Sequence, residues 1–153
     1  HAVRGEPDCE KHRFSVPGVE WIVISGKKLP VLDDRYRVTL DIKGKKLIGS
    51  APELAAYELL SAVPGTLSFN HAAELFQGLV NLNPRKVEYL LSVSQSVQAK
   101  RLYLFFASFY EHGWLKRIDS QKIDLGAGKR QIVENGKFNA QYQITVPERF
   151  QKE

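Results

Sequence analysis

The sequence predicts an α+β domain. Three observations carry that expectation. An alternating strand run meets a tight turn in the N-terminal third. Closely spaced helical segments follow, and short strand-like runs around an Asn-Gly pair close the chain. Strands, then helices, then strands is the order of a segregated α+β fold rather than of repeated βαβ units. The predicted architecture is N-terminal strands and a β-hairpin, a central cluster of roughly four helices, and a C-terminal β-hairpin packing with the sheet. At 153 residues, 43% hydrophobic and 25% charged, the chain suits one domain with one core.

Residues 1–18 are polar and carry Pro7 and Pro17, so they read as a flexible lead-in or linker to a single domain over 19–150. Trp21–Ile24 is a short apolar run bounded by Gly26, as in a buried strand. In residues 35–42, Tyr36, Val38, Leu40 and Ile42 alternate with Arg35, Arg37, Thr39 and Asp41. Residues 43–46 then form a turn, and Leu47 begins the return strand.

The helices are marked by their starts. Ser50 and Glu53 have capping-box spacing, with Pro52 in the first turn. Ser68 caps a second helix, whose Ala72, Leu75, Phe76 and Leu79 share one face. Asn83 and Pro84 open a third, burying Val87, Leu90 and Leu91. The fourth runs from Val97 to His112 and stops at Gly113. Its stripe of Leu102, Phe105, Phe106 and Phe109 predicts a central position. Residues 121–125 and 129–133 read as strands. Asn135-Gly136 is the preferred pair for a type I′ turn into a strand over 140–146.

Composition narrows the function classes. One cysteine, Cys9, excludes an internal disulfide, and no two of the four histidines stand three or four apart. No metal or cofactor is expected. No run approaches the ~20 apolar residues of a membrane span, and no secretory signal is visible, so a cytoplasmic protein without a membrane partner is expected. The chain contains no methionine and starts at His1, which reads as a piece of a longer protein.

Net charge is +5, and the excess lies in the second half, where 12 basic residues face 7 acidic ones. Three basic pairs stand there: Lys100-Arg101, Lys116-Arg117 and Lys129-Arg130. They are the candidate nucleic-acid or acidic-partner surface. Tyr103, Trp114 and Tyr142 lie among them but suit the core better than a stacking platform.

Other constellations carry less. Residues 126–129, Gly-Ala-Gly-Lys, lack full phosphate-loop spacing, and no helix follows. A glycine turn is the simpler reading. Asp41 and Lys43, with Asp33 and Asp34 upstream, have the residue types of a metal-dependent restriction-type nuclease. A solvent-facing strand end explains them equally. His112, beside Gly113 and Trp114, suits a bond to a carbonyl at the helix end.

Several stretches together resemble a known family. They are Ala51–Ala55 (Ala-Pro-Glu-Leu-Ala), Leu67-Ser-Phe69, Asn81–Arg85 (Asn-Leu-Asn-Pro-Arg), Lys100–Leu104, His112-Gly-Trp114, Ile123–Arg130 (Ile-Asp-Leu-Gly-Ala-Gly-Lys-Arg) and Tyr142–Pro147. In this order they resemble the AbiEi antitoxins of type IV toxin–antitoxin (abortive infection) systems, over residues 47–148. The family commonly has Arg where this chain has Leu54, so no role for that charge carries over. The resemblance implies the C-terminal, non-DNA-binding domain of a bacterial transcriptional regulator, and no enzyme. It implies an N-terminal winged helix, outside this chain, that binds operator DNA. It also implies opposition to a nucleotidyltransferase-like toxin without a stable complex. A nucleic-acid-binding module using the basic second half is the alternative.

Overall fold

The computed structural model describes residues 2–5, 22–25, 30 and 32–151. Strands β1 (Ala2–Gly5) and β2 (Ile22–Ser25) pair in parallel. The first lies inside the segment expected to be a lead-in. The rest of the lead-in falls outside the described residues.

Strands β3 (Arg37–Ile42) and β4 (Lys45–Ser50) form the expected antiparallel hairpin. Its two-residue turn has positive φ at both positions, 51° at Lys43 and 79° at Gly44, as a type I′ turn requires. Asp41 accepts a bond from the Gly44 amide at 3.0 Å, and Asp33 is bound by Arg35 at 2.7–3.1 Å. Both carboxylates thus take part in local turns at an exposed strand end.

Four helices follow: α1 (Pro52–Ser61), α2 (Phe69–Gln77), α3 (Pro84–Val93) and α4 (Val97–Phe109). Ser68 and Asn83 cap α2 and α3 as expected. The capping box at α1 does not form. Ser50 still belongs to β4, and its hydroxyl turns to Glu58, 2.8 Å away. The Glu53 carboxylate instead accepts from the Asn83 amide at 2.9 Å, tying the start of α1 to the start of α3. Tertiary partners outcompete the local cap. In α2, Leu75 is 45% exposed, and Ala73 takes its place in the core.

Helix α4 is central, as its composition predicts. Every residue from Ala99 to Ala107 is buried. Its rings pack with those of α2 and the C-terminal turn: Phe69–Phe106 at 4.9 Å, Phe76–Tyr103 at 5.2 Å and Phe109–Phe150 at 5.0 Å between centroids. Tyr103 also donates to the Glu53 carbonyl at 3.0 Å, pinning α4 to α1. The helix ends before Gly113. Glu111 takes the left-handed position (φ 54°), and the amides of Glu111 and His112 bond to the carbonyls of Ser108 and Ala107. This is a Schellman close with Glu where Gly is usual.

The tail departs further from expectation. Residues 121–125 form no strand, and a 3-10 turn covers Ser120–Lys122. Strands β5 (Arg130–Gln131), β6 (Lys137–Asn139) and β7 (Ile144–Val146) make a sheet ordered β5-β7-β6. The hairpin is β6–β7, and β5 joins β7 in parallel. This sheet is separate from the N-terminal ones. Asn135-Gly136 therefore connects strands that do not pair. Its glycine answers a close approach, since a Cβ there would strike the Val146 carbonyl. None of the described helices is long and apolar enough to cross a membrane.

Phe76 has no exposed surface and touches Tyr103, Phe106, His112 and Trp114. Phe76→Ala should cost about 3–5 kcal/mol of unfolding free energy in urea titration. Leu75→Ala, one residue away, should cost under ~1 kcal/mol. Equal losses would contradict this packing.

Candidate functional site: a guanidinium clamp and a basic groove

The six basic residues expected at the surface divide. Lys116, Arg117, Lys129 and Arg130 are exposed. Lys100 and Arg101 are 4% and 2% exposed, enclosed in the buried stretch of α4, and form no surface. A signal for this was present. Arg101 stands four residues after Val97 and four before Phe105, on an apolar helical row.

A buried guanidinium must have its N–H groups satisfied, and Arg101 finds carbonyls. Its Nε donates to Leu125 at 2.8 Å. Its Nη1 donates to Gly128 at 2.6 Å and to Gln143 at 3.3 Å. Burial, with Arg130 nearby, draws the Arg101 pKa below its ordinary value. Burial also lowers that of Lys100, against the opposing pull of Asp124.

The clamp explains the Gly-Ala-Gly-Lys stretch. The Asp124 carboxylate accepts from the Gly126 amide at 2.8 Å, starting a turn. Gly126 is left-handed (φ 65°), and a Cβ there would lie 2.8 Å from Val97 Cγ2. The loop thus turns carbonyls inward onto a cation. A phosphate cradle needs the opposite, amides converging on an anion. Lys129 and Arg130 are left on the outside, with Lys129 Nζ 5.0 Å from the centre of the Phe138 ring.

A second knot holds the other exposed pair. The Leu79 carbonyl faces both His112 Nδ1 at 2.8 Å and Trp114 Nε1 at 3.0 Å. His112 thus meets a carbonyl, but in the loop after α2 rather than at its own helix end. Burial pushes the His112 pKa below its ordinary value, against the effect of the Leu79 bond. Tyr103 and Trp114 sit in the core, as does most of Tyr142.

The knot joins two stretches, residues 79–84 and the 3-10 turn Gly113–Arg117. Between them runs an open groove of about 410 Å³, lined by Val80, Asn81, Leu82, Pro84, Gly113, Trp114 and Arg117. Sequence reasoning singled out Arg117 but missed Val80, which is 58% exposed. The link between the stretches is a carbonyl, which carries no residue signature. Among the described residues no three His, Cys, Asp or Glu side chains gather to hold a metal.

Three outcomes follow from these knots. Arg101→Lys cannot reach three separated carbonyls and should cost about 2–4 kcal/mol in urea unfolding. Gly126→Ala should cost at least ~1 kcal/mol, whereas Gly113→Ala, where a Cβ meets open space, should stay within ~0.5 kcal/mol. The His112 pKa when folded lies below 6.5, so the unfolded chain takes up the proton first as pH falls. The stability given by neutral His112 is complete above that value and declines as pH drops toward the folded pKa. Unfolding at about pH 7.5 and 5.5 should show a smaller loss for His112→Gln than for the wild type. Equal losses would contradict this role.

A family model described as "Transcriptional regulator, AbiEi antitoxin, Type IV TA system" matches residues 13–147. The match begins well before residue 47, so it takes in the β3–β4 hairpin as well as the helices and tail. No curated protein matches the chain, nor does any solved structure. With most of its length covered, the chain belongs to the AbiEi antitoxin family of transcriptional regulators from type IV toxin–antitoxin systems.

Proposed function

We propose that this domain is the antitoxin part of its regulator, acting in the cytoplasm without catalysis to oppose a nucleotidyltransferase-like toxin. Operator binding would fall to an N-terminal winged helix beyond the present chain, and no stable toxin complex is required. The observation that carries this reading is where the family-like residues go. Arg101, Gly126, Gly128, His112 and Trp114 are spent on internal bonds and turns. What they leave outward is surface: Lys116, Arg117, Lys129 and Arg130.

A second reading, a nucleic-acid surface, is favoured by Lys129 and Arg130 standing exposed beside the clamped loop. One experiment addresses both. The chain is co-expressed with the toxin encoded beside its gene. Growth should be restored, and a Lys129→Glu, Arg130→Glu double variant should still restore it. Failure of the chain where the longer gene product succeeds would overturn sufficiency of this domain. Failure of the double variant alone, with its folding intact, would favour the nucleic-acid reading.

A further inference from the structure

The groove between residues 80–84 and Gly113–Arg117 is held open by the knot at Leu79 and Trp114, and it has the make-up of a recognition site. Its floor is apolar: Leu82, Pro84 and the ring of Trp114, with Val80 standing 58% exposed at its side. The Trp114 N–H is already committed to the Leu79 carbonyl, so only ring surface remains for an occupant. None of the seven lining residues is acidic, and Arg117 is the one charged group among them. Among the described residues no carboxylate pairs with Arg117. Lys116 precedes it, and Arg85 follows Pro84 at the start of α3, whose first turn carries no acid.

We propose that this groove docks a short acidic protein segment with an aliphatic anchor. The anchor sits against Val80 and Pro84, over the little that Leu82 and Trp114 expose, and a flanking carboxylate pairs with Arg117. An arginine fork suits a carboxylate, and because Arg117 is exposed the pair contributes selectivity between acidic and basic segments more than affinity. A cavity of this size takes one or two side chains, not a domain.

Nucleic acid fits less well. Base stacking needs an open aromatic face, and Trp114 is only 5% exposed. Tracking a phosphate backbone needs cations in succession, and the groove wall supplies one. The inference goes beyond the antitoxin reading and does not rest on it, because the partner here is defined by chemistry alone.

The test uses the whole chain labelled with nitrogen-15. The probes are a capped peptide of two leucines flanked by aspartates, the same peptide with lysines for aspartates, and a single-stranded oligonucleotide. Binding in the ~1 mM to ~10 µM range is expected for so short a segment. The acidic peptide should shift the Gly113 amide and the Trp114 indole N–H. Arg117→Glu should weaken it at least ~10-fold and turn preference toward the lysine peptide. Val80→Asp should remove binding of the acidic peptide. Both side chains are exposed, so spectra away from the groove should remain those of the wild type. No shift at millimolar peptide, equal shifts from both peptides, or an oligonucleotide displacing the peptide from these resonances would each overturn the proposal.

Discussion

The charge of Arg101 sits in the buried stretch of a helix built mainly of leucine, phenylalanine and tyrosine. An isolated buried cation is strongly unfavourable, so the surrounding chain must bring it acceptors. Three carbonyls do so, from Leu125, Gly128 and Gln143. The dependence runs both ways. The irregular stretch between Lys122 and Arg130 has little regular backbone pairing of its own, and buried carbonyls there need a donor. One side chain therefore settles the path of the loop and the start of β5. Because Arg130 donates its amide to the Gln143 carbonyl, it also settles where β5 meets β7.

What was legible in the sequence was local. Ser68 and Asn83 act within three residues of themselves, so their cap chemistry can be read directly. The Lys43-Gly44 turn and the apolar rows of α3 and α4 are of the same kind. The misreadings are all tertiary. Ser50 and Glu53 had the right spacing for a cap, but Glu58 and the Asn83 amide held better-placed partners. Asn135-Gly136 had the right composition for a hairpin, but β5 found its partner in β7 rather than β6. At the candidate site, charge alone suggested six surface residues. Burial removed two of them, because side-chain type does not report what packs around it.

The two knots divide labour between interior and surface. A carbonyl or guanidinium fixed inside determines the backbone path, and the next residues along the chain are then held outward. Lys129 and Arg130 follow the loop held by Arg101, and Lys116 and Arg117 follow Trp114. A regulator needs a surface of defined shape, and here rigid anchors lie within a few residues of it. The family match extends over the hairpin as well as over the stretches that carry these anchors.

The parallel pairing of β5 with β7 has a temporal consequence. Strand β7 lies between β5 and β6, and the third acceptor of Arg101, Gln143, immediately precedes it. A growing chain therefore carries α4 through its buried stretch, and even the loop at 125–128, before the last acceptor exists. The earlier helices can collapse first, because their contacts are short in sequence, whereas closure waits for distant segments to meet. The finished surface thus becomes available only after nearly the whole domain has been synthesised. For a member of an antitoxin family of regulators, that delay sets a minimum interval between translation and activity.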